Sequence, residues 1–116
     1  MNKTKVDIVR GLLIAFASNG QIVDYDQIRR LARLHPTDVG EYLDEARKGL
    51  NVGEPDFCAI VVNEDGVPGT GWGNTAHAAQ EIVESHKYWH DRRFMNNVAF
   101  EKKYGALPEI PGLKED

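Results

Sequence analysis

Phe57-Cys58-Ala59-Ile60-Val61-Val62, closed by Asn63-Glu64-Asp65-Gly66, is the stretch on which the fold turns. The run is almost continuously apolar, rich in β-branched side chains, and bounded upstream by Pro55. A short run of that kind between turn formers reads as a buried strand. Asp65-Gly66 supplies positive φ at little cost, so the chain is expected to reverse there. Val67 to Asn74 holds too much glycine for a long strand. It is expected to return briefly, giving a two-stranded wing.

Upstream the period is helical. Val9, Leu12, Leu13 and Phe16 share one face of a helix from about Thr4 to Ser18, stopped by Asn19-Gly20. Asp24 with Gln27 three residues on is a capping-box pattern. It opens a short second helix whose apolar face is Ile28, Leu31 and Ala32, and Pro36 ends it near Leu34. A third helix, Thr37–Leu50, carries the stripe Val39, Tyr42, Leu43, Ala46 and Leu50. Downstream, Asn74 or Thr75 caps a fourth helix with Ala78, Ala79, Ile82, Val83, His86 and either Trp89 or His90 inward. Phe94, Val98 and Phe100 extend the apolar pattern into a short helix ending at Gly105.

The expectation is therefore an α+β fold of winged-helix type: a three-helix helix-turn-helix core, a short β-hairpin wing and a C-terminal helix. Residues 1–106 form a single domain, and 107–116, with Pro108, Pro111 and Gly112, a mobile tail. No apolar run reaches membrane-spanning length, and residues 1–5 lead straight into a helix rather than a signal-peptide core, so a cytoplasmic protein without a membrane partner is expected. The single cysteine, Cys58, excludes an internal disulfide and a thiolate zinc cage.

The net charge of −4 repels polyanions overall, but its distribution is uneven. Residues 38–65 are acidic, with Asp38, Glu41, Asp44, Glu45, Glu54, Asp56, Glu64 and Asp65 against Arg47 and Lys48. Residues 86–103 are basic, with Lys87, Arg92, Arg93, Lys102 and Lys103 against Asp91 and Glu101.

Three segments carry a family likeness. Ile22–Leu34 (IVDYDQIRRLARL), Gly49–Val52 (GLNV) and Cys58–Gly66 (CAIVVNEDG) together resemble the winged-helix DNA-binding domain of the alkylguanine alkyltransferases and alkyltransferase-like proteins. The resemblance puts Cys58 at the alkyl-acceptor position. It also implies Pro-Cys-His-Arg there, whereas this chain reads Phe57-Cys58-Ala59-Ile60. Without the activating base the thiol keeps its ordinary, weakly nucleophilic state. The resemblance thus implies the architecture without the chemistry. Phe57–Trp72 also resembles small bacterial and phage proteins with a Val-Val-Asn and Pro-Gly-x-Gly-aromatic pattern, which implies no reaction.

The sites weigh as follows. Cys58 in an apolar run reads as a buried, unreactive thiol. His86 and His90, at i and i+4, could share a metal with Glu84, Asp91 or His77, against the simpler reading as packing residues. Asp56 with Glu101-Lys102-Lys103 is a thin likeness to a split nuclease motif, and Gly66–Asn74 to a phosphate loop lacking its Gly-Lys-Ser/Thr ending. Arg29, Arg30 and Arg33, with Lys87, Arg92, Arg93 and Trp72, form the expected nucleic-acid contact, provided the groups merge on one surface.

The leading functional expectation is a non-enzymatic module contacting DNA or RNA through these residues and the wing. A protein–protein adaptor using the acidic third helix is the alternative, and an enzyme or alkyltransferase-like protein using Cys58 the third. No cofactor and no metal are expected.

Overall fold

The computed structural model describes residues 1–51, 53–63 and 75–105. The described residues form five α-helices and two short strands: α1 (Lys3–Ser18), β1 (Val23–Asp24), α2 (Tyr25–Ala32), α3 (Val39–Arg47), β2 (Val61–Val62), α4 (Thr75–Phe94) and α5 (Asn97–Tyr104). α1 packs against both α3 and α4, and its residues Val9, Leu13 and Ala17 are fully buried.

Local chemistry accounts for the helix ends. Asn2 accepts the Lys5 amide at 3.1 Å and starts α1. The capping box at α2 forms in both directions: the Gln27 amide donates to Asp24 Oδ1 at 2.7 Å, and the Asp24 amide to Gln27 Oε1 at 2.9 Å. α2 closes on Arg33, held at φ 55°. The Pro36 break is a 3-10 turn, Pro36–Asp38, so α3 begins later and stops sooner than the expected Thr37–Leu50.

The decisive stretch folds otherwise than its composition suggests. Phe57–Ile60 is a 3-10 turn, and only Val61–Val62 is extended. The Asp56 carboxylate accepts the Cys58 amide at 2.9 Å and starts the turn. All four turn residues are buried, packed chiefly against α4, α1 and α3. A strand would send alternate side chains to opposite faces, whereas a turn at a junction of helices can bury every one.

The expected wing is overturned by the pairing of β2. It lies parallel to β1, with Val23 opposite Val61 and Asp24 opposite Val62. A parallel pair cannot be joined by a tight hairpin; it needs a crossover, supplied here by α2 and α3. β1 itself follows from the cap. Asp24 takes extended backbone angles as an N-cap, and that extension gives β2 a partner. The chain is a small α+β domain, not a helix-turn-helix core with an antiparallel wing. Residues 67–74 and the tail 107–116 lie outside the described residues.

Candidate functional site

α1 has a second face besides its core stripe. Gly11, Ile14, Ala15 and Ser18 stand at i, i+3, i+4 and i+7, and with Trp89, Arg92 and Arg93 of α4 they line a cleft of about 440 Å³. That volume lies within the range that takes small ligands. The cleft lining is mainly apolar, with its charge confined to the two arginines.

Trp89 settles the choice left open between it and His90: the indole is 2% exposed, and His90 faces out. Its ring packs on Phe57 at 5.9 Å and edge-on to Tyr88 at 4.9 Å. The indole Nε1 has no hydrogen-bond partner among the described residues, nor has Ser85 Oγ one turn earlier.

The two arginines differ. Arg92 donates at 2.9 Å to Glu54, whose side chain is only 4% exposed and also receives the Tyr88 hydroxyl and the Asn51 amide. Burial, and next the Glu54 carboxylate, push the Tyr88 phenol up to about 12. Among the described residues Arg93 meets neutral groups. It donates to Ser18 Oγ at 3.1 Å and lies 3.5 Å from Asn19 Oδ1, with its guanidinium 5.1 Å from the Phe94 ring centre. The Ser18 hydroxyl proton is engaged with the Ala15 carbonyl at 2.9 Å, which leaves its oxygen free to accept from Arg93. Among the described residues no carboxylate stands within ion-pair distance of Arg93.

The other residues singled out in the sequence lie on α2 and α4. Arg29 and Arg30 both pair with Asp26, at 2.7 and 3.0 Å, while Arg33 caps α2 and Lys87 is exposed on α4. The main neighbours of α2 are α1, α3 and β1, whereas those of α4 are α1, α5 and the Phe57–Ile60 turn. The expected winged-helix nucleic-acid module is corrected accordingly: the hairpin it required is replaced by the parallel pair, and Trp72 lies outside the described residues.

The acidic third helix keeps Glu41 and Asp44 exposed, with part of its charge paired locally. Glu45 pairs with Lys48 at 2.6 Å, Asp44 lies 3.8 Å from Arg47, and Arg47 also holds Asp56. The alkyltransferase-like reading of Cys58 falls on its burial. The thiol is 6% exposed, its Sγ lies 3.6 Å from the Leu43 carbonyl, and burial, followed by the nearby Asp56 charge, pushes it well above its ordinary value.

His86 Nε2 stands 2.9 Å from the Gln21 carbonyl, and His90 Nδ1 is 3.3 Å from Asp91. No group of three or more His, Cys, Asp or Glu among the described residues is placed to hold a metal. Asp56 is engaged by Arg47 and the Cys58 amide, while Glu101 is exposed on α5. No helix among the described residues is long and apolar enough to cross a membrane.

Arg92 and Arg93 were legible as cations, but their cleft was not. Gly11, Ile14, Ala15 and Ser18 carry no pattern that marks a ligand, apart from a glycine in the middle of a helix. No protein-family model, curated protein or solved structure matches the chain.

Proposed function

We propose that this protein is a non-covalent binding module whose α1–α4 cleft takes an amphipathic anion, with the apolar body on Gly11, Ile14, Ala15 and Trp89 and the anionic group at Arg93. The observation that carries this reading is Arg93 itself, an exposed guanidinium bordering a largely apolar cleft, whose hydrogen-bond partners among the described residues are neutral oxygens. A cation in that position gains from a carboxylate or phosphate, because an anion adds the attraction of opposite charges and can match the guanidinium fork with two parallel hydrogen bonds. Arg92 is held by Glu54 and serves as a wall of the cleft. Phe94, 60% exposed beside Arg93, extends the apolar surface at the same end.

The test is amide and indole NMR with octanoate, octanol and octylamine as probes. Octanoate is expected to shift the resonances of Gly11, Ile14, Ala15, Ser18 and the Trp89 indole, with octanol weaker and octylamine weakest. Arg93→Ala should weaken octanoate by about tenfold or more, the scale of one lost hydrogen bond to a charged group. Equal binding of octanoate and octanol, or an unchanged affinity in Arg93→Ala, overturns the reading.

A further inference from the structure

Of the asparagines in the chain, only Asn19 precedes a glycine. The pair ends α1: Asn19 is the C-cap, Gly20 takes φ 69°, and both are exposed. Glycine is favoured at that angle because it has no Cβ to strain. The same lack of a side chain leaves the Gly20 nitrogen unhindered beside the Asn19 carboxamide. An asparagine so placed is open to attack on its side-chain carbonyl by the following backbone nitrogen, and asparagine counts among the thermolabile residues. Two bonds restrain the reaction in the folded chain. The Gly20 amide donates to the Ala17 carbonyl at 3.0 Å, and Asn19 Nδ2 to the Ala15 carbonyl at 3.0 Å. Both belong to the last turn of a helix, where local opening costs little free energy. The carboxamide oxygen has a tertiary neighbour: Oδ1 lies 3.5 Å from Arg93 Nη1.

We propose that Asn19 is a self-modification site, whose conversion to aspartate supplies Arg93 with a carboxylate from within the chain. The Gly20 nitrogen forms a bond to Asn19 Cγ, the Cγ–Nδ2 bond breaks, and ammonia leaves with the proton that the nitrogen gives up. Water then opens the cyclic imide. Cleavage of its Cγ–N bond gives aspartate, and cleavage between the main-chain carbonyl carbon and nitrogen gives isoaspartate. Each product ionises to one new negative charge, and nothing is oxidised or reduced. In the aspartate a carboxylate oxygen takes the place of Oδ1 beside Arg93 Nη1, so a neutral contact becomes an ion pair. That pair competes with an external anion and so regulates the cleft. This last consequence rests on the binding reading proposed above.

The experiment incubates the full chain at physiological temperature, in neutral and in mildly alkaline buffer, and maps deamidation by peptide mass spectrometry. Aspartate and isoaspartate are expected at Asn19 ahead of Asn2, Asn51 and Asn96. Conversion should be faster in alkaline buffer, because the attacking nitrogen must lose its proton, and faster again in urea, which releases both restraining bonds. Asn19→Asp, the product made directly, should move the Arg93 side-chain resonances and weaken octanoate by about twofold to fivefold, the scale of an exposed ion pair. Asn19→Gln, which keeps a neutral amide, should bind octanoate as wild type does. Conversion of Asn19 no faster than that of the other asparagines overturns the modification site. Arg93 resonances unmoved in a folded Asn19→Asp overturn the pairing. Resonances that move while octanoate affinity stays the same overturn the regulation. Wild type that binds no octanoate overturns the binding reading, while the mass map and the Arg93 resonances still decide the modification and the pairing.

Discussion

Two hollows flank α1, and they differ in how their arginines are paired. The one between α1 and α3, lined by Met1, Lys3, Val6, Asp7, Arg10, Glu45, Lys48 and Gly49, is the roomier, about 510 Å³ against about 440 Å³. Its buried arginine is fully occupied. Arg10, 7% exposed, pairs with Asp7 and reaches the Ala46 carbonyl at 3.4 Å, while Lys48 and Glu45 pair at 2.6 Å beside it. In the α1–α4 cleft, Arg93 has hydroxyl and amide oxygens in place of a carboxylate. Volume alone does not make a site. An exposed arginine that no carboxylate among the described residues approaches distinguishes the second hollow from the first.

The largest expected effect comes from breaking the compensation that makes Arg92 a wall. Glu54→Ala leaves a guanidinium whose side chain is 13% exposed without its carboxylate. Breaking a buried pair from one side costs about 3 kcal/mol or more. Urea unfolding should show that loss as a lower midpoint at unchanged slope, whereas a change within error would place Glu54 outside the core network.

A smaller effect is expected in the first hollow. Gly49 comes so close to Arg10 that an added Cβ would lie 2.7 Å from Nη2. Gly49→Ala must push the guanidinium off the Ala46 carbonyl, at a cost of about 1 kcal/mol, the low end for overfilling a packed site. Gly11→Ala should have the opposite sign, stabilising by up to about 1 kcal/mol through helix propensity. The same substitution at Gly11 within α1 and at Gly49 packed against it therefore separates a glycine that packing requires from one that it does not. Equal melting shifts in the two variants would remove that distinction.

The smallest effect belongs to the seam between α4 and α5, where compensation is complete and exposed. Asp91 accepts from Lys103 Nζ at 2.6 Å and from the Tyr104 hydroxyl at 2.7 Å. The Lys103 ammonium first, and Tyr104 next, lower the Asp91 carboxyl to about 2. A carboxylate depressed in the folded state adds stability above its unfolded value, roughly 3.9, and loses that contribution as pH falls through about 2. Asp91→Asn should flatten the acid limb of the melting curve between those limits. The change at neutral pH should be at most about 1 kcal/mol, as for exposed pairs. An acid limb identical to that of wild type would show that α5 is held by its Phe100 packing alone.

Much of the local structure was legible without coordinates. Asp24 and Gln27 announced their capping box, Pro36 the break before α3, Gly105 the stop of α5 at φ 93°, and the spacing of Val9 and Leu13 the inward face of α1. Each depends on residues within one or two turns, so composition and period suffice to find it. The run Phe57–Val62 was legible as buried but not as a turn, because a short apolar run lacks a period that tells strand from helix. Its partner was beyond reach for the same reason. Val61 pairs with Val23 across two intervening helices, and no feature of either residue encodes that choice. Charge behaves likewise: the sequence alone determined that Arg10, Arg92 and Arg93 are cations. Tertiary structure decided that Arg10 meets Asp7, that Arg92 meets Glu54 and that Arg93 faces neutral oxygens, because ion pairing depends on distances of a few ångströms set by the packing of α1, α3 and α4.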